Sequence, residues 1–122
     1  MLESRMRKEL ELLYSRMCSG IGHPIRLSIL YSLAQQPRYV TELAADLDIP
    51  QPTISRHLKI LSDHSLVTAT REGPNVYYSL ADRRVLDALD IMRTILRDRL
   101  AEEARLAQFS ALDDLTDDDN SV

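Results

Sequence analysis

The chain has 122 residues, of which 44% are hydrophobic and 28% are charged. This length and composition are typical of one globular domain with its own core, and they argue against a disordered chain. No apolar run approaches the roughly 20 residues that a membrane-spanning helix needs. The N-terminal MLESRMRKELELL lacks the apolar block of a signal peptide. Because Cys18 is the only cysteine, no intrachain disulfide can form. We therefore expect a cytoplasmic protein without membrane association.

The net charge of −4 is unevenly distributed along the chain. Residues 113–119, DDLTDDD, contain five aspartates and no basic residue, which leaves 15 basic and 14 acidic residues elsewhere. A nearly neutral body can still bind a polyanion if its cations lie on one face. We predict a folded domain over residues 1–110 and an acidic, disordered tail over residues 111–122.

The first two predicted elements are helices. Apolar residues at helical spacing indicate an amphipathic first helix: Met6, Leu10, Leu13 and Met17. Gly20 and Gly22 are expected to end it. Pro24 is suited to the first position of a second, strongly apolar helix, which stops before Pro37.

Two further helices follow, separated by a tight turn. Thr41 is expected to cap the third helix, which ends before Pro50 because the residue preceding a proline avoids helical conformation. Pro52 begins the fourth helix, with Gln51 in the capping position, and this helix continues to about Ser65. A short helix, a tight turn and a second helix form a helix-turn-helix, whose second helix can enter the major groove of DNA.

The chain then changes to a strand pattern and back to a helix. The runs LVTATR and VYYSL are rich in β-branched and aromatic residues and flank the turn sequence EGPN, so they predict a β-hairpin. Asp82 is expected to cap a last helix that runs to about Ala107. The apolar residues of this helix cover more than one core-facing stripe.

Excess apolar surface on the first and last helices predicts a homodimer. The predicted interface residues are Met6, Leu10, Leu13, Leu89, Met92 and Leu96.

At about 100° per residue, the fourth helix has two distinct faces. Ile54, Leu58 and Leu61 cluster on the face toward the core, while Arg56 and Lys59 project away from it. Arginine can read a guanine edge through two hydrogen bonds, and short polar residues allow close approach to bases. The alternative interpretation is an ordinary solvated helix face. The candidate DNA-binding residues on this helix and beside the hairpin turn are Gln51, Thr53, Ser55, Arg56, His57, Lys59, Arg71 and Asn75.

From Gly22 to about Leu89 the chain resembles the ArsR/SmtB family of winged-helix repressors. The strings GHPIRLSIL, TELAADL, PTISRHLKIL and REGPNVYYSL occur in the family's order and spacing. The resemblance implies a mainly α winged helix-turn-helix with five helices and a two-stranded β-hairpin wing, dimeric through the first and last helices. It also implies a repressor that binds an inverted-repeat operator in double-stranded DNA and is released by a signal.

The positions that sense metals in this family are altered. Its arsenic and cadmium sensors carry a cysteine pair in the helix matching TELAADL, where residues 41–44 supply no thiolate. Its zinc and nickel sensors pair acids with histidines at positions that here are Asp82, Arg84, Ile95 and Asp98. We expect no metal site and no cofactor. Cys18 is either a small buried hydrophobe or a candidate redox or metal sensor, with its symmetry mate or His23 as partner.

Two other functional classes fit the sequence less well than DNA binding. An enzyme is not expected, because the sequence shows neither a nucleophile paired with a base nor a glycine-rich phosphate loop. The alternative function is a winged-helix protein–protein interaction module without DNA binding, and Arg56 and Lys59 argue against it.

Overall fold

The computed structural model describes the backbone of residues 1–120 and the side chains through residue 115. Ser121 and Val122, the end of the predicted tail, lie outside the described residues. Two compact units are present, Met1–Leu86 and Asp87–Val122. Within residues 1–120 the chain forms five helices and a small antiparallel sheet, so the predicted mainly α fold is confirmed.

Helix α1 changes its winding before it ends. It consists of a regular stretch Ser4–Leu13, a π-helical turn Tyr14–Cys18 and a final short stretch Ser19–Ile21. Gly22 follows as its C-cap, as the two glycines predict. Gly20 is buried because α1 packs closely against His64 and Leu66 at this position. A methyl group at this position would lie 2.7 Å from Cγ of His64.

Three helices form the centre of the first unit: α2 is Pro24–Gln35, α3 is Val40–Leu47 and α4 is Gln51–Asp63. Pro24 begins α2 as predicted, and Nδ1 of His23 caps it by accepting a hydrogen bond from the Ile25 backbone N–H.

Two predicted helix caps are wrong. Tyr39 caps α3 in place of Thr41, because Oε1 of Glu42 accepts the Tyr39 backbone N–H at 3.0 Å and closes the first turn. Pro50 is the N-cap of α4, and Gln51 is its first helical residue.

The sheet has three strands, one more than predicted. Strands β1 (Arg38–Tyr39), β2 (Val67–Glu72) and β3 (Asn75–Leu80) are ordered β1-β3-β2, with both pairs antiparallel. Strand β1 has only two residues and forms by pairing with β3, so local periodicity gives no sign of it. Glu72 of β2 pairs with Asn75 of β3, so only two residues form the turn between these strands. Gly73 in this turn has a φ of +60°, which favours glycine.

The core of the first unit lies where α2, α3 and α4 meet the start of β2. Its buried hydrophobic side chains are Ile29, Leu30, Leu33, Leu43, Ile54, Leu58, Leu61, Leu66, Val67 and Leu86. The predicted assignment of α2 to the core is therefore confirmed.

Helix α5 runs from Arg84 to Asn120 and is longer than predicted. The expected end near Ala107 was wrong, because Phe109, Leu112 and Leu115 continue apolar residues at helical intervals beyond it. Residues 111–120 are helical, whereas the sequence predicts a disordered tail there. Within residues 1–120 we find no helix that combines the length and the hydropathy of a membrane span.

Candidate nucleic-acid interface

The two faces of α4 separate as the sequence predicts. Ile54, Leu58 and Leu61 are fully buried, while Arg56 and Lys59 are exposed. Burial of the apolar face fixes the rotation of the helix about its axis, because turning it would expose those three side chains to water. The core therefore determines which side chains α4 presents to solvent.

The outward face carries cations with few competing contacts. Arg56 Nη2 lies 3.4 Å from Oγ1 of Thr53, one turn earlier. Lys59 Nζ lies 3.5 Å from a carboxylate oxygen of Asp63, and both side chains are largely exposed. Ser55 and Gln51 are exposed toward the N-terminal end of the helix. Backbone N–H groups and the helix dipole favour an anion at that end.

The hairpin formed by β2 and β3 presents the two predicted wing residues to solvent. Arg71 is the residue before Glu72 in β2, and Asn75 begins β3, so both lie beside the turn and both are exposed. The Tyr39 hydroxyl donates a hydrogen bond of 2.9 Å to Oε2 of Glu72, which connects the N-terminal end of α3 to this hairpin, the wing. This hydrogen bond and the charge of Glu72 raise the pKa of Tyr39 above its ordinary value of 10.0.

A cleft of about 230 Å³ lies between the wing turn and the N-terminal ends of α3 and α4. It brings Gln51 and Asn75 to one place, although 23 positions separate them in sequence. The cleft is lined by Tyr39, Val40, Thr41, Gln51, Pro74, Asn75 and Val76. No sequence pattern predicts Tyr39 or Thr41 at this cleft, because their placement depends on the pairing of β1 with β3.

His57 is not free on the outward face. It is half-buried, its ring centroid lies 4.5 Å from that of His23, and Nη1 of Arg26 lies 3.2 Å from its Nδ1. Burial, together with the nearby His23, Arg26 and Arg56, holds the pKa of His57 below its ordinary value of 6.5. The sequence analysis did not identify Arg26, which is the only charged residue of α2 and is itself buried.

The residues at the family's metal positions do not fit a zinc or nickel ion. Nη2 of Arg84 lies 2.7 Å from Oδ2 of Asp82, and hydrogen bonds from the Arg84 side chain and backbone lower the pKa of Asp82 to about 2. The Arg84 guanidinium therefore binds the Asp82 carboxylate that a zinc or nickel ion would need as a ligand. None of the family's metal positions carries a histidine here, so an imidazole ligand is also missing. Among the described residues no three metal-ligating side chains cluster together.

Cys18 is exposed in the single chain, which differs from the buried position that one of its two interpretations requires. It lies in the π-helical turn of α1.

The predicted dimer residues expose apolar surface in the single chain. On α1, Met6, Leu10 and Leu13 are exposed. On α5, Met92 is 63% exposed and Leu96 54% exposed, while Leu89 is half-buried.

Comparisons with known proteins agree with this geometry. The family described as "Bacterial regulatory protein, arsR family" matches residues 23–69. The HTH-type transcriptional repressor SmtB of Mycobacterium tuberculosis is 44% identical over 74 residues, which cover 57% of this chain and 55% of SmtB. The chain thus matches about half the length of that relative. The HTH-type transcriptional regulator CmtR of Mycobacterium bovis is 35% identical over 97 residues, covering 79% of this chain and 80% of CmtR.

A solved structure shows the same architecture. The homodimeric winged helix-turn-helix DNA-binding domain of Mb0332 from Mycobacterium bovis is 28% identical to this chain, with a TM-score of 0.68. The match covers 81% of this chain and 91% of that domain. The helix-turn-helix formed by α3 and α4, followed by the β2–β3 wing, is therefore a winged helix-turn-helix.

Proposed function

We propose that this chain, which belongs to the ArsR family of bacterial regulatory proteins, is a transcription repressor that binds double-stranded DNA as a homodimer. The observation that carries the proposal is the outward face of α4. Arg56 and Lys59 are exposed there, while three fully buried apolar residues hold the opposite face in the core. A helix fixed in this way can enter the major groove as a rigid element.

The proposed contacts divide into two kinds. Arg56, Thr53 and Ser55 lie where a recognition helix meets base edges, and Arg56 has the donor geometry for guanine. Lys59 on the same helix and Arg71 on the wing supply cations for the phosphates. Gln51 and Asn75 face the cleft between α4 and the wing, where amide groups can donate hydrogen bonds to the sugar–phosphate backbone.

The test uses a DNA duplex selected from a random pool by the wild-type protein, with affinity measured by fluorescence anisotropy as salt is raised. The Arg56→Ala variant is expected to lose about 1–3 kcal/mol and to relax the preference at one base position. The Lys59→Ala variant is expected to weaken binding to all sequences and to lower the salt slope by about one unit. Arg71→Ala is expected to behave like Lys59→Ala.

Arg105→Ala is the matched control, because it removes an exposed arginine outside the helix-turn-helix and the wing, and residues 101–115 of α5 remain acidic without it. If Arg56→Ala and Lys59→Ala fold normally and bind like the wild type, the assignment of α4 as recognition helix is wrong. If the wild type selects no duplex and its binding does not weaken with salt, the protein–protein interaction module is the correct function.

A second copy of the chain is the proposed partner of α5, and the charge pattern of the helix supports this. Residues 84–100 contain four arginines and three aspartates, whereas residues 101–115 contain one arginine and four acidic residues. Two copies that pair antiparallel through α5 place each basic half beside an acidic half, while parallel pairing would bring like charges together. A folded monomer in light scattering at micromolar concentration would contradict the dimer.

The release signal is proposed to act elsewhere than at the family's metal positions. Cys18→Ser is the decisive variant for the thiol hypothesis, because Cys18 supplies the only thiol in the sequence. If wild type and variant release DNA alike on treatment with peroxide, polysulfide and thiophilic metals, Cys18 is not the sensor. Tight stoichiometric zinc binding that releases DNA and persists in Cys18→Ser would show that the interpretation of Asp82 and Arg84 is wrong.

A further inference from the structure

Arg26 is a charged residue in the interior of the first unit. Arg26 is the only charged residue of α2, and it is only 9% exposed. Burying a guanidinium is costly unless its N–H groups have partners. The partners of Arg26 come from two different elements, the end of α1 and the middle of α4. The guanidinium therefore links them.

Two of the hydrogen bonds of Arg26 cap the C-terminal end of α1. Arg26 Nε donates to the Gly20 carbonyl at 2.6 Å, and Nη2 donates to the Ser19 carbonyl at 3.4 Å. Carbonyl groups in the last turn of a helix lack partners within the helix, and the negative end of the helix dipole attracts a cation there. Arg26 thus holds the end of α1 against α2.

The third contact reaches α4. Arg26 Nη1 lies 3.2 Å from Nδ1 of His57. Arginine has only donors, so Nδ1 of His57 must accept, and the ring proton of a neutral His57 is on Nε2. The centroid of the His23 ring lies 4.5 Å from that of the His57 ring, and the two rings are tilted by 41°. His57 thus contacts two residues at the start of α2.

We propose that Arg26 is a positioning residue for DNA recognition, which joins the end of α1 to the recognition helix through a neutral His57. The proposal rests on the proposed DNA binding of α4. His57 directly follows Arg56 and lies one turn from both Ile54 and Ile60. The hydrogen bond between His57 and Arg26 therefore sets the position at which Arg56 enters the major groove. Without the hydrogen bond between Arg26 and His57, the side chain of Arg56 is positioned less precisely for DNA binding.

The link depends on the protonation state of His57. The charged and titratable groups that face it are His23 and Arg26 of the α2 segment and Arg56 of its own helix. A protonated His57 would direct an N–H at the Arg26 guanidinium, and the hydrogen bond would be lost. Because the pKa of His57 is held below its ordinary value of 6.5, the neutral ring predominates at neutral pH. The link is therefore present at neutral pH and is lost as the pH falls through the lowered pKa of the folded protein.

The experiment measures the affinity of wild type and variants for the duplex selected from a random pool, between pH 7.5 and 5, at several salt concentrations. His57→Ala removes the acceptor, and we expect a loss of about tenfold at pH 7.5, as for one hydrogen bond to a charged group, with the salt slope unchanged. His57→Gln keeps an acceptor that does not titrate. It should bind within about threefold of wild type at pH 7.5 and lack the wild-type loss of affinity at acidic pH.

His64→Gln is the matched control, since His64 is the next histidine along the chain and its two ring nitrogens bond to the Ser19 hydroxyl and the Ile60 carbonyl instead of the Arg26 guanidinium. It should keep the wild-type pH dependence. Arg26→Lys, if folded by circular dichroism, should lose affinity to a similar degree as His57→Ala, because one ammonium cannot bridge both helices.

Three results would overturn the proposal. A salt slope lowered by about one unit in His57→Ala would mean that His57 contacts a phosphate directly. A wild-type pH profile in His57→Gln would mean that another group titrates. Wild-type affinity in His57→Ala would mean that the link has no role. In each case the wild type still binds the selected duplex, so DNA binding itself stands; failure of the wild type to select any duplex would instead overturn the proposed function.

Discussion

Leu58 and Leu100 are both helical leucines, yet Leu58 is fully buried and Leu100 is 52% exposed. The contrast extends to the regions around them. In the first unit the apolar faces of α2, α3 and α4 cover one another, so that unit has its own core. Along α5, exposed apolar residues continue from Ile91 to Leu115. Helices in water obtain most of their stability from packing of an apolar face, so α5 depends on a partner in a way that α4 does not.

The largest expected effect is the loss of a core side chain. Leu58→Ala should lower the free energy of unfolding by about 2–5 kcal/mol, because it removes a fully buried side chain and leaves a cavity. Hydrogen–deuterium exchange of peptides from α2 and α4 reports on the first unit and should accelerate. Leu100→Ala is the control: exchange of the same peptides should remain at the wild-type rate. Equal acceleration in both variants would contradict the distinction between the two regions.

The next effect concerns the partner of α5. Leu96→Lys should weaken dimerisation by at least about tenfold to a hundredfold, because burying one leucine contributes about 1.5–3 kcal/mol, both subunits carry the change, and a lysine cannot replace the leucine. The measurement is sedimentation velocity over a dilution series. Thr94→Lys adds the same charge to an exposed position about 200° around the helix and should leave the dimer intact. If both variants dissociate equally, charge alone is responsible and the apolar face is not the interface.

A smaller effect is expected where α1 meets the body. Gly20→Ala should destabilise the protein by about 1–3 kcal/mol, the usual cost of overpacking. The added methyl would lie 2.7 Å from Cγ of His64 and 3.0 Å from Cδ1 of Leu66. The measurement is urea denaturation followed by circular dichroism. Gly22→Ala, whose methyl would meet only the Cys18 carbonyl at 3.2 Å, should cost less. Stabilisation by Gly20→Ala would show that helix propensity exceeds the steric conflict.

The parts of the fold that the sequence predicted depend on local patterns. The buried face of α4 follows from the spacing of Ile54, Leu58 and Leu61, and the hairpin follows from the turn residues between two β-branched runs. The outward position of Arg56 and Lys59 is a direct consequence of the same spacing.

The parts that the sequence did not predict depend on contacts between distant segments. Strand β1 exists because Arg38 and Tyr39 pair with β3, and two residues carry no periodicity. The cap of α3 was missed because Tyr39 is not a usual capping residue. Arg26 looks like a surface residue in sequence, and only the positions of α1 and α4 show that its donors have partners. The available signal was a single charged residue in a helix that is assigned to the core.

The smallest expected effect on stability is that of Asp63, the exposed residue that forms an ion pair with Lys59 on α4. Lys59 and Asp63 are 78% and 62% exposed in their side chains and 3.5 Å apart, so their ion pair should contribute less than about 0.5 kcal/mol. Asp63 also lies at the C-terminal end of α4, where a negative charge is unfavourable. Asp63→Asn should therefore leave the unfolding transition almost unchanged.

DNA binding should respond more than stability does. Without the Asp63 carboxylate, Lys59 has no competing anion, and the recognition helix carries one negative charge less, so affinity at low salt should rise by about twofold to fivefold. Asp113→Asn changes the net charge of the chain equally but lies on α5, and it should not alter affinity. Reduced affinity in Asp63→Asn would mean that the ion pair orients Lys59 toward the phosphate. Asp63 would then be an exposed residue that is neutral for folding but required for binding.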